Sequence, residues 1–131
     1  VKVEIVEVAD PGSGQVVFRL AGARDTASGY WSSGEDAQVG ECAVELDVPG
    51  EVTAWSVVAP PEPPESAVAD VDGGVAITAE VLPREDADGA FALRVGVGVV
   101  LVELSGDVSA VAPGTWVSLS VPKVVLYPFS A

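Results

Sequence analysis

Carboxylates are the commonest reactive groups in this chain, and two short runs arrange them as a cation-binding loop would. Asp70-Val71-Asp72-Gly73 and Asp86-Ala87-Asp88-Gly89 both read D-x-D-G. An EF-hand loop spaces oxygen ligands at alternate positions, places glycine sixth and ends on a bidentate Glu. Here glycine falls fourth and no helical pattern flanks either run. Asp-Gly is also a turn sequence in its own right. Turns are therefore the expectation, with Asp70, Asp72, Asp86 and Asp88 as weak calcium candidates.

Other chemistry is narrowed by what the sequence lacks. Histidine is absent, which removes the commonest general base, the Ser–His and Cys–His pairs and the commonest metal ligand. One cysteine, Cys42, and no histidine rule out a conventional zinc site. No G-x-x-x-x-G-K-[ST] run occurs, so no P-loop is present. Catalysis would rest on a carboxylate pair of the glycosidase kind, but with 20 Asp and Glu any pair can be drawn. The expectation is a non-catalytic protein without a cofactor, a carboxylate-based hydrolase being the remaining catalytic alternative. Cys42 sits in an alternating segment with no neighbouring cation, as a buried inert thiol would.

Binding residues stand out more clearly. Tyr30-Trp31 lies between Gly29 and Ser32-Ser33-Gly34, where an exposed aromatic pair would suit a sugar ring or a protein hot spot. Trp55 and Trp116 read as core fillers. The candidate binding residues are Tyr30, Trp31, Glu35, Asp36, Glu45 and Asp47.

Charge sets the class of partner. Twenty acids against six Lys and Arg give a net charge of −14. Such a chain repels a phosphate backbone, whose non-specific binding depends on Lys and Arg. Anionic membrane surfaces are disfavoured for the same reason. A basic protein partner is compatible with this charge, and so is plain solubility. The longest apolar run, Val95 to Val102, is far short of the ~20 residues a membrane-spanning helix needs. No basic stretch with an apolar core opens the sequence, so the expected location is cytoplasmic, with a leader removed before Val1 left open.

The elements that must position these residues read as strands. Alternation and β-branched residues dominate, and helical periodicity is weak throughout. Val1 to Ile5 alternates in one phase and Val6 to Val8 in the other, which predicts a β-bulge near Ile5–Val6. Asp10 to Gly14 is a turn, and Gln15 to Ala21 returns as the second arm of a hairpin. Val44, Leu46 and Val48 share one face, with Glu45 and Asp47 on the other. Glu51 to Val58, Val75 to Leu82 and Thr115 to Val121 follow as strands, the last with Trp116, Ser118 and Ser120 on one face. Phe91 to Leu104 is either a hairpin turning at Gly96–Gly98 or one bent strand. Pro122 and Pro128 mark strand ends or edges, where pairing with a second copy could make a homo-oligomer. The count is roughly eight to ten short strands, and the fold class is all-β: an antiparallel barrel or a two-sheet sandwich.

One internal repeat is visible: Val39-Gly40, three residues, Val44-Glu45-Leu46 matches Val97-Gly98, three residues, Val102-Glu103-Leu104. A duplicated β-unit would explain it, and chance in so biased a composition is the favoured reading. Between the two copies lies "APPEPPES", residues 59–66, too rich in proline for a helix or a central strand. Halves of ~60 residues would be marginal alone, so residues 1–131 are expected to form one domain, with 59–67 an exposed crossing between two β-units.

"GTWVSLSVPKVVLYPFSA", "LRVGVGVVLVELSG" and "VGECAVELDVPGEVTAW" resemble strands of the small OB-like β-barrels found in uncharacterised bacterial proteins. The resemblance covers about half the chain. It implies a five-stranded barrel core with added strands and carries over no functional residue. OB folds that bind nucleic acid line basic grooves with aromatics, and this acidic chain departs from that pattern. The leading expectation is a binding domain whose acidic surface meets a basic protein, as an inhibitor or immunity-type protein would. A carbohydrate-binding module centred on Tyr30-Trp31 is the alternative.

Overall fold

The computed structural model describes residues 1–83 and 90–129. Among them there is no helix, and twelve strands build a closed barrel and a second sheet. The barrel takes β1 (Lys2–Asp10), β2 (Gln15–Leu20), β3 (Ala27–Trp31), β4 (Gly40–Asp47) and β12 (Val125–Pro128), in the order β1-β2-β3-β12-β4. All neighbours are antiparallel except β3 and β12, which run parallel. The second sheet lies in sequence between β4 and β12. It uses β5 (Glu51–Val52), β6 (Ala54–Val58), β7 (Ala67–Val71), β8 (Gly74–Leu82), β9 (Ala90–Val95), β10 (Gly98–Leu104) and β11 (Trp116–Val121). Its order is β5-β10-β9-β8-β11-β6, with β7 paired to β8. The first and last strands of that path, β5 and β6, are consecutive in sequence, separated only by Thr53. The sheet therefore curls until its two ends meet on one segment of chain.

Twelve strands exceed the eight to ten expected, for local reasons. Thr53 breaks the 51–58 segment in two. β3 and β7 are five-residue strands in segments where Gly, Ser and Asp obscure alternation. Elsewhere the alternation is realised. Val6 is skipped where β1 pairs with β2, so Ile5 faces in, Val6 faces out and Val8 returns toward the core. This is the predicted bulge, and it reconciles the two phases of the strand. Phe91 to Leu104 is a hairpin: Val95 pairs with Gly98 across Gly96-Val97. Gly96 takes φ +59°, the conformation a type II′ turn requires at its first central position.

The core is one cluster of side chains from both sheets, including Val3, Ile5, Phe18 and Leu126 from the barrel strands and Ile77, Leu93, Val100 and Leu119 from the second sheet. Complete burial of such a side chain contributes about 1.5–3 kcal/mol. No charged or polar residue is buried among the described residues. Gly29 faces this core because Phe18, Val124 and Leu126 occupy the space; a Cβ there would lie 2.5 Å from Leu126 Cδ1. Trp116 departs from the expectation of a core filler. Val117, Leu119 and Val121 face the core, whereas Trp116 is buried on the opposite side of β11.

The two sheets are also tied by hydrogen bonds. Asp70 N–H on β7 donates to Thr26 O at 3.1 Å, and the Asp70 carboxylate accepts from Ser28 N–H at 2.7 Å and Ser28 Oγ at 3.2 Å. The proline-rich 59–66 segment joins β6 to β7, both in the second sheet. The repeated octets occupy like positions: Gly40 and Gly98 each begin a strand, Val44 and Val102 face in, and Glu45 and Glu103 face out.

Candidate functional site

Trp31 ends β3, and the sequence around it closes a small cavity at one end of the barrel. Asp10 organises the β1–β2 turn: its carboxylate accepts from Gly12 N–H and its carbonyl from Gly14 N–H, both at 3.0 Å. Gly14 then presents its carbonyl to Trp31 N–H at 2.8 Å. Its φ is +80°, and a Cβ there would lie 2.8 Å from the Trp31 carbonyl oxygen. Glycine is thus required both by backbone conformation and by the close approach of β3.

Beyond Trp31 the chain turns back under its own indole. Trp31 Nε1 donates to the Glu35 carbonyl at 3.0 Å, and Ser33 Oγ accepts from Glu35 N–H at 3.2 Å. These bonds hold Glu35 and Asp36 beside the ring. The cavity has a volume of about 250 Å³; Val8, Pro11 and Val16 supply apolar wall, Trp31 the aromatic wall, and Glu35 and Asp36 the acidic rim. Among the described residues the ion pairs are Arg19–Glu4 at 2.7 Å and Lys2–Glu41 at 3.9 Å. Neither cation reaches Glu35 or Asp36. Trp31 flanked by two carboxylates that are unpaired among the described residues is suited to a cationic side chain, since a cation over Trp gains about 0.5–2 kcal/mol and the carboxylates add Coulombic attraction.

The other expected binding residues lie elsewhere. Tyr30 precedes Trp31 in the same strand and so faces the opposite way. It borders a different cavity with Gln15, Asp70 and Lys123, whose Nζ lies 5.7 Å from the ring centroid. The two rings do not form one platform. Glu45 and Asp47 stand on the outer face of β4, opposite Tyr127 and Val125 of β12. Asp47 borders a third concavity with Leu101 and Glu103.

Of the calcium candidates, Asp70 is engaged by Ser28, and Asp72 sits in the β7–β8 turn. Asp86 and Asp88 lie outside the described residues. No group of three or more potential metal ligands occurs among the described residues. Cys42 is half-buried, and burial pushes its thiol pKa up, away from the reactive thiolate. Asp107 moves the other way: hydrogen bonds from the Ser109 side chain and backbone N–H hold its carboxyl below the ordinary aspartate value. No described helix is long and apolar enough to cross a membrane.

The sequence singled out Trp31, Glu35 and Asp36, and the fold gathers them around one cavity. It did not single out Val8, Pro11 or Val16, which reach the cavity through the hairpin register. The chain matches no protein-family model, and neither a curated protein nor a solved structure matches it significantly.

Proposed function

We propose that this chain is a non-catalytic binding domain of inhibitor or immunity type that recognises a basic protein. In this reading a lysine or arginine side chain of the partner enters the Trp31 cavity, with its charge against Glu35 and Asp36. The supporting observation is the convergence of that indole and two carboxylates that pair with no cation among the described residues, on a chain of net charge −14. The long-range field raises the encounter rate with a cationic partner, and the cavity supplies the anchor. We also read the chain as one OB-like domain carrying an inserted sheet. Five barrel strands and a single cluster of buried residues shared with the second sheet support that reading.

The test is a titration of tryptophan fluorescence with an arginine- and lysine-rich peptide and with its acidic counterpart. The basic peptide is expected to shift Trp31 emission and to bind at least about tenfold more weakly when salt is raised from low to molar strength. Equal response to both peptides, or binding indifferent to salt, would overturn the reading.

A further inference from the structure

A further cavity lies on the outer face of the second sheet and shares no lining residue with the Trp31 cavity. Strand register places Val58, Trp116, Glu80, Arg94 and Val99 in one row across five strands. Three of these, Trp116, Glu80 and Arg94, form the floor of a cavity of about 320 Å³. One wall is the end of β2 and the start of the β2–β3 connection, Leu20 to Ala23. The other is the end of the proline segment, Pro64 to Ser66. That second wall is fastened down: Gly96 N–H donates to Ser66 Oγ at 2.7 Å. Trp116 is only 8% exposed although it stands on the outer face of its sheet, so these loops cover it. The volume is at the small end of the range for ligand cavities, about 300–1,000 Å³, and suits a metabolite of amino-acid size.

The charges in this cavity are specific. Arg94 is one of six cations in a chain with 20 carboxylates, and Glu80 is its cross-strand neighbour. Yet Arg94 makes no ion pair among the described residues. Its fork of donors is left for a planar anion, and a ligand carboxylate fits it in bidentate fashion. Glu80 and Glu65 contribute two negative charges to the same cavity. One positive and two negative groups are complemented by a ligand with one carboxylate and two cationic groups. We propose that this cavity binds a free α-amino acid with a cationic side chain. The α-carboxylate lies on Arg94, the α-ammonium on Glu80 and the side-chain cation towards Glu65, with the aliphatic stem along Ala23 and the edge of Trp116.

Isothermal titration calorimetry of the full chain tests this with lysine, arginine, lysine amide, cadaverine and norleucine. Lysine and arginine are expected to bind. Lysine amide and cadaverine, which lack the carboxylate, and norleucine, which lacks the side-chain cation, are each expected to bind about tenfold more weakly or not at all. Arg94→Gln, at an exposed position that leaves the fold intact, is expected to abolish the advantage of lysine over cadaverine. Trp31→Ala is expected to keep the preference for lysine over cadaverine, which depends on Arg94 and so separates this site from the protein-binding one. The proposal is overturned if lysine and arginine give no binding heat, if cadaverine binds as tightly as lysine, or if Arg94→Gln binds lysine like the wild type.

Discussion

Replacing Gly14 with alanine tests how the β1–β2 turn and the Trp31 cavity depend on each other. Two costs follow from the structure. A left-handed conformation, φ +80° here, costs an L-residue roughly 1–2 kcal/mol. The new Cβ would also lie 2.8 Å from the Trp31 carbonyl oxygen, a backbone atom that cannot swing aside. Relief requires the turn to move off β3, which weakens the 2.8 Å bond from Trp31 N–H to Gly14 O and the 3.0 Å bond from Gly14 N–H to Asp10 O. Each such bond is worth about 0.5–1.5 kcal/mol. The sum is about 2–5 kcal/mol, or a fall in Tm of roughly 6–20 °C for a chain of this size. Urea unfolding followed by far-UV circular dichroism and by tryptophan emission measures it, the second probe also reporting the loosened indole. Gly34→Ala is the control: it lies in the β3–β4 connection with open space around it and no positive φ, and is expected to change stability by less than about 0.5 kcal/mol. If Gly14→Ala were as mild as Gly34→Ala, the turn would not be held against β3 as described.

Three further outcomes follow. Asp70→Ala removes the acceptor for Ser28 N–H and Oγ and is expected to lower stability by about 1–2 kcal/mol, measured by urea unfolding, whereas Asp72→Ala in the neighbouring turn changes little. Because burial raises the Cys42 pKa, its thiolate is scarce near neutral pH; alkylation of the folded protein is expected to be slower than that of a free thiol and to rise steadily through alkaline pH, and rapid labelling at pH 7 would contradict this. The Asp107 carboxyl, held below its ordinary value by Ser109, stays ionised as pH falls past the unfolded-chain aspartate value. Its small contribution to stability is present above that value and is lost as pH falls through the folded one. An NMR titration of its carboxyl carbon is expected to show a depressed midpoint that Ser109→Ala raises only in part, because the backbone N–H bond remains.

Much of the fold was legible because alternation reports directly on burial. Val44, Leu46 and Val48 face in, Glu45 faces out, and the phase change at Ile5–Val6 is the bulge that a strand with one buried face requires. Gly96 turned the Phe91–Leu104 segment into a hairpin. Topology was not legible, because β12 pairs with β3 and β4 only after the 77 residues from Val48 to Val124 have been crossed, and no local pattern encodes so distant a partner. β3 and β7 escaped notice because Ala27-Ser28-Gly29 and Ala69-Asp70 lack the β-branched run that marks a strand. At the candidate site, residue type identified Trp31, Glu35 and Asp36. Their separation from Tyr30 follows from the period of two, which places neighbours in a strand on opposite faces. Arg94, Glu80 and Trp116 come from three different strands, and only the cross-strand register brings them into one row.

In the proposed function Trp31, Glu35 and Asp36 together receive a cationic side chain. The most direct measurement is the affinity of one arginine- and lysine-rich peptide for the wild type, for Trp31→Ala and for the double variant Glu35→Gln/Asp36→Asn, each at low and high salt. Both variants are expected to weaken binding about tenfold or more, and the double variant also to have the shallower salt dependence. Variants that bind like the wild type, with an unchanged salt slope, would show that net charge alone attracts the peptide and that the cavity has no part in it.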